Sequence, residues 1–373
     1  MEKAITVVGM DTSKASIQPA LLKPADETPL VWDIPNDASA VRRMVRKSQR
    51  EAPGEVVFVY EAGPCGYALQ RQIEKLGSRC VVVAPSLVPV KPGDRIKTNR
   101  RDAKKLALMY RADLLTEVRP PSEAEESVRD LVRAREDALE DYLRCRHRLS
   151  SFLLRRGYVY TMGNRWTRGH RRWLKDLPFE NEADRAVFND YLLAVEQLEA
   201  RMGELEQWIE AYAEKDPYRE RVGHLRCFRG IETLTAMTIL VELHGIERFE
   251  TARQLMSYLG LIPSEYSTGD KNWRGSITKA GNAHVRRVLC EGVPSYKHRP
   301  SAGGVLAKRR KGQPAWVIAI ADKAQLRLHR RYWKLQEKGK PYGKVIVALA
   351  REWVGFLWAV LVKGPSQQAP QVA

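Results

Sequence analysis

Cysteine is scarce: the 373 residues hold five, Cys65, Cys80, Cys145, Cys227 and Cys290. They are odd in number, far apart and without a Cys-x-x-Cys pair, which argues against a disulfide framework and a thiolate zinc site. The seven histidines form no His-x-x-x-His pair either. Long apolar runs are lacking too. The most apolar stretch, Val345 to Val362, is broken by Arg351 and Glu352, and reads as a buried or amphipathic helix, not a membrane span. No signal-peptide pattern opens the chain, so a cytoplasmic protein without a membrane partner is expected. Acidic residues are in deficit, 45 against 63 Lys and Arg, giving a formal charge of +18 and a pI near 9.7. Such an excess favours a polyanionic partner. The length suits two or three domains with a sizeable core.

Apolar alternation over the first 110 or so residues predicts an α/β sheet. Strands are expected at 4–10 and 15–22, near Leu30 to Ile34, at Glu55 to Glu61 and at Ser78 to Ala84. Helices are expected at Asn36 to Arg50, begun by Asp37, and at Tyr67 to Lys75. Pro85 to Asn99 reads as a basic loop, after which Asp102 opens a helix with apolar positions at 103, 106, 107 and 110.

Two carboxylates directly follow buried strand-like runs, Asp11 after ITVVGM and Glu61 after VVFVY. A side chain at a strand's end lies at the sheet rim, where ligands gather in α/β folds. Asp102, with Asn99 before it, starts the next helix. Three carboxylates and an amide oxygen suit Mg²⁺, a hard ion that takes oxygen ligands. Two such ions about 4 Å apart serve in-line attack at a phosphodiester. The plainer alternative is that Asp102 caps its helix and Asp11 orders its turn. Asn99, being neutral, weakens the ligand set.

Beyond Pro120 and Pro121 the chain becomes charge-dense and helical, at Ser122 to Arg156 and Glu182 to Lys215. Between them, Arg168, Arg171 and Arg172 interleave with Tyr160, Trp166 and Trp173. That composition fits phosphate binding with base stacking, or equally a loop packed by its own aromatics. FRGIETLTAMTILVELHGIERF resembles two helices joined by a glycine turn, and a glycine-rich loop, SEYSTGDKNWRG, should lead into a basic helix. Lys308 to Lys311 and Arg327 to Arg331 add cationic turns. The loop and the residues after it place Ser264, Ser267, Thr268, Ser276 and Thr278 among Lys271, Arg274 and Lys279. A hydroxyl beside cations can attack phosphorus, although such loops more often only bind phosphate, and no histidine stands by as a base.

Taken together, GMDTSK, VYEAGPCGY, KTNRRDAKKLA and GLIPSEYSTGDKNWRGSITKAGN resemble the DEDD insertion-sequence transposases, a family of bridge-RNA-guided recombinases. The resemblance covers most of the chain, in order and spacing. It implies a RuvC-like, ribonuclease-H-type domain over 1–118 and a helical coiled-coil region with the basic aromatic insertion over 119–224. A mostly helical C-terminal transposase domain over 225–364 and a tail over 365–373 would follow. It implies Mg²⁺ on Asp11, Glu61, Asn99 and Asp102, where Asn99 stands in place of an aspartate. The nucleophilic serine falls on Ser267, or on Thr268 if the match runs without a gap to the next glycine. The implied partners are a guide RNA, donor and target DNA, and further copies of the chain, dimers forming a tetramer. Lys97, Arg100, Arg101, Arg168, Arg171, Arg172, Lys271, Arg274 and Lys279 are the expected nucleic-acid contacts. A metal-dependent RuvC-like nuclease and a non-catalytic nucleic-acid-binding protein remain as alternatives.

Overall fold

The computed structural model describes residues 5–89, 98–268 and 271–363. The chain forms two compact units, Met1–Pro121 and Ser122–Ala373.

The first unit is built on a mixed sheet. Its strands are β1 (Thr6–Thr12), β2 (Ser16–Leu22), β3 (Leu30–Val31), β4 (Ile34–Pro35), β5 (Val56–Glu61), β6 (Arg79–Val83) and β7 (Glu117–Val118). The order is β3-β2-β1-β5-β6-β7, with β4 also on β2. β1, β5 and β6 run parallel, and β2 and β7 are antiparallel to their neighbours. The third strand expected near Leu30 is thus two short ones, with Trp32 and Asp33 falling between them.

Three helices cover the sheet, α1 (Ala38–Glu51), α2 (Ala68–Lys75) and α3 (Asn99–Arg111). The period-2 alternation of strands sorts side chains between two cores. Val8, Met10, Phe58, Tyr60 and Val82 meet Val41, Met44, Val45 and Ile73 of α1 and α2. Val7, Val57, Val59, Val81 and Val83 meet Leu106 and Ala107 of α3. Asp37 caps α1, accepting from the amides of Ser39 and Ala40. Helix α3 begins three residues before the expected Asp102. Thr98 is the cap and accepts from Arg101 N, leaving Asp102 within the first turn.

Among its described residues the second unit is helical apart from one hairpin. It contains α4 (Glu123–Arg155), α5 (Arg168–Lys175), α6 (Glu182–Ala213), α7 (Arg219–Arg226), α8 (Thr233–Leu243) and α9 (Ala252–Tyr258). β8 (Pro263–Thr268), β9 (Lys271–Ile277), α10 (Ala283–Gly292), α11 (Val305–Arg310), α12 (Ala315–Glu337) and α13 (Tyr342–Trp358) follow. Ser122 starts α4 with a capping box to Glu125. Helices α4 and α6 pair along their length, with a core of Tyr142, Leu149, Phe152, Phe188 and Val195 at one end. A larger core joins the other end of that pair to α7–α10, α12 and α13.

Three expectations change here. The two-helix reading of 228–249 becomes one α-helix, α8, because Gly245 turns left-handed and only a single 3₁₀ turn follows. The glycine-rich loop is a β-hairpin, and Lys308–Arg310 and Arg327–Arg331 are helical in α11 and α12. Helix α13 with its last turn is long and apolar enough to cross a membrane. Its Val345, Leu349, Ala350 and Trp353 are fully buried core residues of the second unit.

Candidate functional site

Asp11 and Glu61 are neighbours by register. β1 and β5 pair in parallel through Met10 opposite Tyr60, and each carboxylate comes one residue later, on the strand's last turn of pleat. By alternation both side chains lie on the face of Val7 and Val59, the face that α3 covers. Gly9 shows how closely α3 approaches. A Cβ there would stand 2.3 Å from the Ala103 carbonyl oxygen and 2.5 Å from the Ala107 nitrogen. Ala103 follows Asp102, so that contact brings the first turn of α3 to the rim beyond Gly9. Asp11, Glu61 and Asp102 are all half-buried, and Asn99 is exposed.

The backbone therefore brings three sequence-expected acids to one rim. Their side chains do not yet converge: among the described residues no three His, Cys, Asp or Glu groups are close enough to hold a metal ion. The donors are chemically right for a hard divalent cation, but the arrangement lacks the closeness of a formed site. Arg100, expected as a nucleic-acid contact, is exposed and donates to Asp33 at 2.6 Å. Arg101 is exposed, and Lys97 lies outside the described residues.

The second candidate is the β8–β9 hairpin. Glu265 pairs with Arg274, Tyr266 with Trp273, Ser267 with Asn272 and Thr268 with Lys271. Alternation makes two faces of different character. Glu265, Ser267, Asn272 and Arg274 form a polar one, whereas Tyr266, Thr268, Lys271 and Trp273 form the other, with Tyr266 75% and Trp273 79% exposed. Ser267 Oγ lies 2.8 Å from Glu265 Oε1 and 2.7 Å from the Asn272 side-chain oxygen. A hydroxyl has one proton, so it donates to Glu265 while accepting from Asn272 with its amide turned over. Arg274 stands 3.6 Å from the other Glu265 oxygen. Sequence reasoning looked for a histidine base and missed Glu265 and Asn272. The i, i+2 spacing of Glu265 and Ser267 was the available signal, once the segment is read as a strand.

The base of this hairpin is fixed. Thr278 N donates to Ile262 O and Lys279 N to Gly260 O, and Arg286 donates to the carbonyls of Leu259 and Ala280. Lys279 itself has φ +53°, an uncommon conformation for a non-glycine residue. Gly281 has φ +65°, and a Cβ on it would meet the Tyr258 carbonyl oxygen at 1.8 Å. Asn282 then caps α10 through Val285 N and donates to the buried Glu242 at 2.7 Å. Burial pushes the Glu242 carboxyl upward, but hydrogen bonds from Arg133 and Asn282 outweigh it and hold the group below its ordinary range. Glu136 pairs with both His284 and Arg287, so α4 grips α10 at a second point.

The basic aromatic segment packs on itself. Tyr160, Trp166 and Trp173 surround the buried ring of His170 with centroids 4.9 to 5.5 Å away. Arg146 covers Trp166 at 4.3 Å. Arg171 is committed to Glu199, which also accepts from Tyr142. Its guanidinium is thus engaged within the segment while remaining partly exposed. Arg168 and Arg172 are exposed, as are Lys271, Arg274 and Lys279.

The acidic rim and the hairpin each fall within a stretch matched by a transposase family model. Residues 8–156 match a transposase model for DEDD proteins of the IS110 type, and residues 223–302 match the transposase IS116/IS110/IS902 family. The class is thus a DNA-acting transposase of mixed α/β and helical build. Relatives extend the likeness to nearly the whole chain. It is 41% identical over 322 residues to y4qE of Sinorhizobium fredii, named as a transposase, covering 86% of this chain and 79% of that one. It is 35% identical over 337 residues to the transposase for insertion sequence element IS1533 of Leptospira borgpetersenii, covering 89% and 97%. The chain belongs to the IS110 family of insertion-sequence transposases.

Proposed function

We propose that this transposase is an RNA-guided recombinase that exchanges strands between donor and target DNA through a phosphoserine on Ser267. The observation that carries the reading is the 2.8 Å contact between Ser267 Oγ and Glu265 on a hairpin anchored at its base. In the proposed step, Oγ attacks a DNA phosphorus and passes its proton to Glu265. The P–O bond to the departing sugar oxygen breaks, and that oxygen takes up a proton. A second strand's hydroxyl then displaces Oγ in the reverse sense. One phosphodiester is exchanged for another, so rejoining needs no ATP.

In this reading the first unit is a RuvC-like, ribonuclease-H-type domain. Asp11, Glu61 and Asp102, with Asn99 at their edge, are the residues that would hold Mg²⁺. The ion would supply stabilisation of negative charge at the phosphate. Sequence would be read by base pairing of a structured guide RNA, while the protein holds backbone phosphates. The α4–α6 pair would serve dimers that assemble into a tetramer, and the protein would work in the cytoplasm. The three-part division at 118 and 224 belongs to the same proposal. A metal-dependent nuclease is the second reading, favoured by the acidic rim alone.

The test is a covalent trap. Purified protein with guide RNA, Mg²⁺ and labelled DNA should yield a protease-sensitive, denaturant-resistant adduct. Mass spectrometry should place it on Ser267, and Ser267→Ala should remove it while Thr268→Ala leaves it. The reverse outcome moves the nucleophile to Thr268; cleavage with no adduct replaces the recombinase by the nuclease.

A further inference from the structure

Helix α12 carries a cationic stripe that neither the acidic rim nor the hairpin uses. Lys323, Arg327, Arg330 and Lys334 follow one another at steps of four, three and four residues, which puts them on one side of the helix. All four are exposed, while Ala324, Gln325, Leu328 and Tyr332 of the same helix are buried in the core. Arg331 joins them, and with Leu326 and Glu352 they line a groove of about 500 Å³. Five cations thus face one carboxylate.

That carboxylate has a definite place. Glu352, on α13, pairs with Arg327 and stands 3.9 Å from Arg331. It holds two guanidinium groups on the wall between the helices. Among the described residues no carboxylate pairs with Lys323, Arg330 or Lys334. An ordinary solvated helix face mixes both signs. Of the two acids on α12, Asp322 is turned to Arg310 at 2.7 Å, and Glu337 follows Lys334 only at the helix's last residue. Lys323 to Lys334 spans about 16 Å at 1.5 Å per residue. Along a duplex that is the axial length of about five base-pair steps at 3.4 Å each.

We propose that this groove binds the phosphodiester backbone of a nucleic acid, without reading its sequence. The inference rests on the chain's acting on nucleic acid, and it assigns a contact surface separate from the residues of the strand-exchange chemistry. Lys and Arg on a regular helical row fit successive phosphates, contacts that fix position on the strand and carry no sequence information.

The experiment follows binding of the full chain to a labelled DNA duplex and to an RNA hairpin of arbitrary sequence, as salt is raised. The triple substitution of Lys323→Ala, Arg330→Ala and Lys334→Ala should lower the magnitude of the log–log salt slope by about 2 to 3, at roughly 0.9 per phosphate contact. The side chains are exposed, so the melting temperature should not move, and Arg330→Lys should keep the wild-type slope. A lowered slope for the duplex alone assigns the groove to DNA, and for the hairpin alone to RNA; for both, the backbone chemistry is shared. An unchanged slope with both probes overturns the groove while leaving the wider reading intact. A wild-type chain that binds neither probe overturns both.

Discussion

Gly9 of β1 and Ala103 of α3 touch so closely that no side chain fits between them, the virtual Cβ lying 2.3 Å from the Ala103 carbonyl. The contact is backbone on both sides, so neither can yield by changing rotamer. Gly9→Ala should therefore lift α3 from the sheet and cost about 1–3 kcal/mol, the usual range for overpacking. Thermal melting of the variant measures the cost. Strand cleavage should fall further than the stability loss explains, because the first turn of α3 carries Asp102 to the rim.

Asp11→Ala, Glu61→Ala or Asp102→Ala should each abolish strand cleavage, and nucleic-acid binding by gel shift should stay near wild type. Asn99→Asp should preserve or strengthen Mg²⁺ binding, so that cleavage persists at lower metal, since it restores a negative oxygen ligand. Full cleavage by Asp11→Ala would remove the rim from the chemistry.

Glu265→Gln retains the size and one oxygen of the group beside Ser267 but loses its capacity to take a proton. Loss of a general base costs about 10²- to 10⁴-fold in rate. Single-turnover adduct formation should slow by that order, with DNA affinity unchanged. A rate within a few-fold of wild type would leave Glu265 only a hydrogen-bonding role.

Arg171 and its neighbours should part company under mutation. Arg171→Ala breaks the partly buried pair with Glu199 and should lower the melting temperature. Arg168→Ala with Arg172→Ala should leave melting unchanged and flatten the salt dependence of RNA binding. A salt slope that does not respond leaves the segment a packing element alone.

Glu242 gives a pH prediction. Its folded carboxyl is held below the ordinary value of 4.5. A carboxylate lowered by folding contributes stability that is complete above that value and is lost as pH falls through the folded one. Melting temperature should therefore decline in acid below about pH 4.5, and Glu242→Gln should show a shallower decline. Arg133→Ala should cost about 2–3 kcal/mol at neutral pH, less than a fully buried pair because the guanidinium is partly solvated.

The sheet was legible because its strands announce themselves as apolar runs and both rim acids end such runs. Helix α1 was legible from Asp37 and the spacing of Val41, Met44 and Val45. The start of α3 was misplaced because Asp102 looks like a cap, whereas Thr98 meets the backbone and Asp102 sits one turn in. The hairpin was hidden by Gly269, Gly275 and a run of polar residues. It lacks the apolar alternation of a half-buried strand, since both its faces are solvated. Its residues Glu265 and Asn272 became visible only with the cross-strand register. Whether three carboxylates converge depends on side-chain reach at the rim, on which a linear pattern is silent.

Helix α4 runs without a break from Glu123 to Arg155. Arg133 on it pairs with Glu242 of α8 and Glu136 with Arg287 of α10, the helix after the hairpin, and Phe152 belongs to the separate core at its far end. From Arg133 to Phe152 is about 28 Å at 1.5 Å per residue. A continuous helix braced by α6 has no joint at which to shorten. The α4–α6 arm is thus a ruler: whatever is gripped at its tip is held at a set distance from the Arg133 and Glu136 ion pairs, about eight base-pair steps of duplex at 3.4 Å each.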